Sequence, residues 1–314
     1  MALPILSQPH GIMLHHFYDE QFIRGQGAIN QEDLVKIIEH YKPENILSAS
    51  DWYKKAISNN LKDNDYCITF DDTLLCQYEI ALPILEEYNI TAFWFVYSSV
   101  LNGNIEPLEV FRKFRTEHFS TIDEFYEFFF AQVETTIFID DSSQSIDTQL
   151  PDTYLSEFPF YSKNDKKFRF LRDRVLTTKQ YNDIMTSMID DKGLSMRSLS
   201  ENLWMTRSHI KQLHEKGHIV GLHSTTHPTS ISSFDKGSQA KEYQSNFDDL
   251  LRITEQRPRT MSHPCNSYNE DTLNILENLG IKLGFCSNMS QKPASLLEFP
   301  REDHANILAR ISTI

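Results

Sequence analysis

Short apolar runs alternating with amphipathic helical stretches constrain this chain more than any other feature, because strands joined through helices are forced into a parallel sheet covered on its faces. "INQEDLVKIIEHYKPENI" places Leu34, Ile37, Ile38 and Tyr41 at i, i+3, i+4 and i+7 behind a capping Asn30, which predicts a helix. "ENILSAS" then reads as a strand and "YCITF" as an apolar run of strand length. "QYEIALPILEEYN" is predicted helical despite Pro83, and "ITAFWFVYSSV" has the aromatic and β-branched content of a buried strand. The pattern returns near the C-terminus. Thr206 caps "RSHIKQLHEK", Gly217 ends it and "HIVGLH" follows as a strand; "TMSHP", the helix "NEDTLNILENL" closed by Gly280, and the strand "IKLGFC" add further β/α units.

Between these halves the character changes. Residues 101–203 hold the aromatic-rich helical pattern "FRKFRTEHFSTIDEFYEFFFAQV", the polar stretch "DDSSQSIDTQLPDT" and a second helical region around "TTKQYNDIMTSMIDDKG". They are expected to form an inserted helical lobe whose Phe residues make its own core or its seam with the rest, while residues 1–100 and 204–314 together form the β/α body. "DDSSQSID" reads as a solvated loop. A homo-oligomer contact through the insertion is a further expectation.

A formal net charge of −14 argues against nucleic acid or an anionic membrane as the main partner, since both reward clustered Lys and Arg. No apolar run has the length of a membrane span, and "MALPILSQPHGIML" lacks the cationic start of a secretion signal, so the expected location is cytoplasmic. Cys67, Cys76, Cys265 and Cys286 show no CxxC spacing and read as reduced thiols.

Two stretches carry chemistry. "YCITFDDTLL" ends an apolar strand in adjacent acids, Asp71 and Asp72, whose mutual repulsion calls for a proton, hydrogen bonds or a cation. "GLHSTTHPTS" sets His223 and His227 directly after another strand, where the open end of a parallel barrel collects functional side chains. One carboxylate and two imidazoles leave coordination positions for water and substrate, as a catalytic metal site requires, with Asp72 as ligand and Asp71 outside the sphere as general base.

"TFDD" followed by "HSTTHP" resembles the first two motifs of the polysaccharide deacetylases, the NodB-homology or carbohydrate esterase family 4 proteins. "MSHPCNSYNEDTLNIL" is similar to the third motif, "EFPREDHANI" resembles the late P-R-x-D segment, and "HGIMLHHF" resembles the first-strand Y-H of the family. The resemblance implies a distorted (β/α) barrel, usually seven-stranded, and removal of an acyl group, acetyl or formyl, from an N-acylated amino sugar; the expected cytoplasmic location suggests a nucleotide- or lipid-linked intermediate of surface polysaccharide biosynthesis as that sugar. It implies one divalent metal ion, Zn²⁺ first, on Asp72, His223 and His227, with Asp71 as base. Ser262 stands where some relatives carry an Arg that steadies the base, and Arg301 is expected to replace it. The usual C-terminal Leu-x-His is missing; His304 is the first choice for the general acid, with His263, His15 and His16 as the other candidates. His15, His263 and Pro264 are expected at the sugar.

Three other readings compete. "HEKGH", His214–His218, matches the zinc-protease H-E-x-x-H, but Gly217 should end its helix before the second histidine. "FDDTLL" approaches a phosphatase signature, but adjacent acids in an extended segment point opposite ways. A non-catalytic sugar-binding or assembly protein on the same scaffold is the alternative from a different class.

Overall fold

The predicted strands become a seven-stranded parallel sheet: β1 (His10–Leu14), β2 (Tyr66–Phe70), β3 (Phe93–Val96), β4 (Ile219–Leu222), β5 (Thr260–Ser262), β6 (Leu283–Phe285) and β7 (Arg301–Asp303), in the order β6-β5-β4-β3-β2-β1-β7. The computed structural model describes residues 8–139, 150–152, 154, 162–289 and 294–312, so the stretch "DDSSQSID" lies outside the described residues. The chain separates into two compact units, Met1–Glu106 with Asn202–Ile314, and Pro107–Glu201. In the first unit the outer strands nearly meet. Phe285 forms a parallel bridge with Phe299, and the Cys286 N–H donates to the Phe299 carbonyl at 2.8 Å just before β7 begins. The sheet is therefore a nearly closed, distorted (β/α) barrel, as expected.

Strand alternation divides the core in two. On β3, Phe93 and Phe95 pack with Trp52, Leu283, Phe285 and Phe299, whereas Trp94 and Val96 join the larger cluster formed with the helices. The inner face is crowded around two glycines. A Cβ on Gly221 would lie 2.4 Å from Thr260 Oγ1 and 2.8 Å from the Phe95 ring, and one on Gly11 would press on the Arg301 side chain at 3.0 Å.

The helices form where local chemistry starts them. Asn30 and Asp33 make a reciprocal capping box for Gln31–Tyr41, which buries Leu34, Ile37, Ile38 and Tyr41, each contributing about 1.5–3 kcal/mol. Pro83 is tolerated because it sits in the first turn of Leu82–Glu87, directly after a wide turn over Gln77–Ala81. "ENILSAS" is not a strand. Pro43–Asn45 coils into a 3₁₀ turn, Ile46 pairs only through an isolated bridge to Tyr66, and the Ser48 hydroxyl accepts the Asp51 N–H to start a helix over Ala49–Ile57. A good cap outweighed the short apolar run.

The second unit is helical, with segments Pro107–Glu117, Ile122–Ile139, Lys163–Phe170, Thr178–Asp191 and Met196–Ser200. Its own core includes Phe114, Phe125, Phe129 and Phe168, with the Phe129 and Phe168 rings edge to face at 5.0 Å. No described helix of the chain is long and apolar enough to cross a membrane.

Candidate active site

The site is assembled from segments that leave the C-terminal ends of the strands, where parallel sheets collect functional groups. Asp71 continues the inward face of β2 after Cys67 and Thr69. Beyond it the chain turns sharply: Asp72 and Thr73 both have positive φ, 76° and 60°. The Gln77 amide ties this turn to β1 by donating to the Asp71 carbonyl at 2.6 Å and the His15 carbonyl at 2.8 Å. The turn corrects one step of the sequence reading. The acids do not point opposite ways, because the segment is not extended past Phe70; Asp71 Oδ2 and Asp72 Oδ1 lie 3.9 and 3.4 Å from the same nitrogen, His223 Nε2.

His223 leaves β4 on its inner face. Its Nδ1–H donates to the Ser262 carbonyl at 2.9 Å, which leaves the Nε2 lone pair facing Asp72. Ser224 and His227 adopt positive φ, so the loop folds back and brings the His227 ring to 4.8 Å from that of His223. Glu242 holds the loop by accepting the Thr225 and Thr226 N–H groups, both at 2.9 Å. The result is a compact donor set. Asp72 Oδ1 is 3.2 Å from His227 Nε2 and 3.4 Å from His223 Nε2, and one ligand atom from each of the three residues lies within 4.8 Å of the others. Atoms bound tetrahedrally at about 2.0–2.1 Å from one ion are separated by about 3.3 Å. Asp72 Oδ1 is buried and makes no hydrogen bond of ordinary geometry, so the oxygen at the centre of the group lacks a partner of its own. The residues fit a divalent cation.

Charge points the same way. Asp71 and Asp72 are both buried, and Arg301, fully buried, balances one of them. Its guanidinium grips Asp71 through both oxygens, at 2.7 and 2.8 Å, while also donating to Ser262 Oγ at 2.8 Å and the Cys286 carbonyl at 2.8 Å. Ser262 Oγ donates in turn to Asp71 Oδ2 at 3.1 Å. Burial raises the Asp71 pKa, but Arg301, then His223, more than offset it and hold the carboxyl below its usual range. Burial likewise works against the Asp72 carboxylate, yet the His227 and His223 imidazoles keep it well below the normal value. For His223, burial favours the neutral ring, but Asp71 and Asp72 push its pKa up: the pocket asks for one more positive charge.

The remaining histidines occupy different places. His15, on the inner face just past β1, has Nε2 at 3.7 Å from Asp71 Oδ2 and 4.0 Å from Asp72 Oδ2, and its side chain is 24% exposed. His16 stacks on it. His304 is one step removed: Nε2 donates to the Gly27 carbonyl at 2.8 Å and Nδ1 lies 3.7 Å from Asp303 Oδ1. His263 is buried, stacks on Tyr268 at 4.2 Å and bonds the Leu297 carbonyl through Nε2 at 2.9 Å. Burial drives its pKa down to about 3, so it is a neutral structural ring. Pro264 is buried beside it and opens a tight turn. His263 and Pro264, both expected at the sugar, are buried side chains. The protease-like pair is also separated: His214 lies on the helix Arg207–Glu215, whereas His218 follows Gly217 at φ 87° and accepts the Ala92 N–H on Nδ1.

Sequence reasoning missed the supports. In the sequence Ser262 reads only as a departure from Arg, and Gln77, Glu242 and Asn246 carry no motif. Asn246 accepts the His223 N–H at 3.0 Å and donates to the Val96 carbonyl at 2.9 Å. The available signal was a polar stripe, Glu242, Asn246 and Asp249, at helical spacing on Lys236–Thr254.

The sequence model of the family described as Polysaccharide deacetylase matches residues 181–284, which include His223 and His227 but not Asp71 and Asp72. No curated protein matches the sequence. Among solved structures, the chain is similar to the Streptococcus pyogenes deacetylase PplD in complex with acetate, at 16% identity and TM-score 0.56, covering 96% of each chain. It is also similar to a de-N-acetylase from Aggregatibacter actinomycetemcomitans, at 12% identity and TM-score 0.56 over 97% of this chain and 98% of that one. IcaB from Ammonifex degensii shares the fold at 12% identity and TM-score 0.53, with 96% of each chain covered. These likenesses establish the fold, and the sequence match adds a resemblance of residues 181–284 to the polysaccharide deacetylases.

Proposed function

We propose that this protein is a metal-dependent hydrolase that removes an N-acyl group, acetyl or formyl, from an amino sugar. The observation that carries the reading is the spacing around Asp72 Oδ1, 3.2 and 3.4 Å to two imidazole nitrogens, beside a second carboxylate held by a buried arginine. Asp72, His223 and His227 are the proposed ligands. A divalent ion there, with Zn²⁺ best suited to the donors, supplies Lewis acidity to the amide carbonyl and lowers the pKa of water toward about 7.

The chain's own residues do the rest. Asp71 accepts the proton of the attacking water; Arg301 and Ser262 keep it ionised and fix its plane, so its free lone pairs face the reacting centre. His15 donates a proton to the leaving amine as the C–N bond breaks. We assign His15 this role ahead of His304 because its Nε2 lies beside both acids and its ring reaches solvent, whereas the His304 Nε2–H is committed to Gly27. The products are a carboxylate and a free amino sugar.

The test is release of acetate or formate from N-acylated glucosamine oligomers by the metal-loaded protein. Asp71→Asn should keep the ion and lose turnover about 10²–10⁴-fold, the usual worth of a general base. His227→Ala should lose the ion. Bound metal with no acyl release from any such sugar would favour the sugar-binding alternative.

A further inference from the structure

A second group of ligating side chains, His15, Asp303 and His304, adjoins the proposed metal centre; one ligand atom from each lies within 4.8 Å of the others. The barrel's register creates it. β1 and β7 run side by side with Met13 opposite Asp303, and His15 follows Met13 on the inner face, while Asp303 shares the face of Arg301 two residues on. His304 comes next in the chain, at the start of the helix His304–Ile311.

What distinguishes this group from an ordinary polar cluster is a stranded nitrogen. His304 is 6% exposed, and its Nε2–H donates to the Gly27 carbonyl, which in the neutral ring leaves a lone pair on Nδ1. That Nδ1 is buried and has no hydrogen-bond partner among the described residues, although it lies 3.7 Å from Asp303 Oδ1. A buried acceptor left unmatched is destabilising, and a bound cation would satisfy it. Two imidazoles and a carboxylate repeat the donor chemistry of the first group, and the 3.7 Å from His304 Nδ1 to Asp303 Oδ1, longer than the 3.2 and 3.4 Å around Asp72, makes a weaker site.

We propose that His15, Asp303 and His304 form a second divalent cation site, filled only when the metal is in excess, and that filling it stops turnover. For the site itself the argument needs only these residues; the effect on turnover rests on His15 being the acid. An imidazole that coordinates a metal through either nitrogen cannot carry protons on both, so it cannot act as the imidazolium that protonates the leaving amine. The ion that the first group needs would therefore inhibit at the second.

The test counts ions on the full chain after equilibrium dialysis against excess Zn²⁺, and measures acyl release in parallel. Wild type should bind two ions, and His227→Ala one, retained at the second site. Asp303→Asn and Asp303→Ser both preserve a helix cap for the Ala305 N–H and should weaken the second ion at least about tenfold while leaving turnover at low Zn²⁺ intact. Turnover of wild type should fall by about 10² or more as the second ion binds, the contribution of a general acid, and the Asp303 variants should resist this loss. One ion per wild-type chain in excess Zn²⁺, an unchanged second affinity in the Asp303 variants, or a second ion bound with turnover intact would each overturn the proposal. If no sugar is ever deacylated, the functional reading fails, but the ion counts still decide the site.

Discussion

Replacing Arg301 with Met isolates the most heavily committed side chain in the protein. The guanidinium is fully buried and donates to both Asp71 oxygens, to Ser262 and to the Cys286 carbonyl. Met fills much of the space of the aliphatic stem, so the loss is electrostatic rather than a cavity. The variant leaves Asp71 buried with only the Ser262 hydroxyl as donor, and an uncompensated buried charge of this kind costs about 3–5 kcal/mol. Asp71→Asn on its own leaves Arg301 without its anion and should cost a similar amount. The double variant strands neither charge and should cost less than the sum of the singles by about 2–3 kcal/mol, near the upper end of couplings between contacting residues. Urea unfolding of the four proteins with a chelator present measures these differences without a contribution from bound metal. A loss below about 1 kcal/mol for Arg301→Met, or strict additivity of the two substitutions, would refute the idea that this pair is a mutually dependent buried unit.

Three further outcomes follow from the geometry. His218 is buried, and burial lowers its pKa from 6.5 to about 4 while Nδ1 accepts the Ala92 N–H, so the unfolded chain binds its proton more readily. Its stabilising contribution is complete above pH 6.5 and disappears as pH falls toward 4, about 3 kcal/mol over that window; His218→Asn, which keeps an acceptor for Ala92, should flatten this part of the stability–pH curve. Glu242→Ala removes the clamp on the Thr225–Thr226 backbone and should lower Zn²⁺ affinity about 10–100-fold without unfolding the protein, as competition with a chelator of known affinity will show. Gly221→Ala drives a methyl into Thr260 and the Phe95 ring and should destabilise the barrel by about 1–3 kcal/mol, read as a lower urea midpoint.

Much of this was legible in residue patterns. Aromatic and β-branched runs marked β2, β3 and β4, and Asn30, Thr206 and Gly280 marked helix ends because caps act over three or four residues. Asp72, His223 and His227 were readable as a set because each follows a strand, and a parallel barrel delivers all such positions to one end. What escaped detection was longer in range or not encoded by residue type. Positive φ at Asp72 and His227 is uncommon for any residue but glycine, and it is this geometry that brings both acids to one centre and folds the histidine loop back. The choice between His15 and His304 depends on the register of β1 against β7, which no single stretch encodes. Glu242 and Asn246 act across the barrel wall, and on their own helix they read only as polar residues at regular spacing.

The most direct measurement is anomalous diffraction from crystals of the Zn²⁺-loaded protein at one equivalent of metal. The account predicts a single peak within bonding distance of Asp72, His223 and His227, at about 2.0–2.2 Å, with Asp71 outside the sphere and still paired with Arg301. A peak elsewhere, or Asp71 pulled off Arg301 to serve as a ligand, would contradict it.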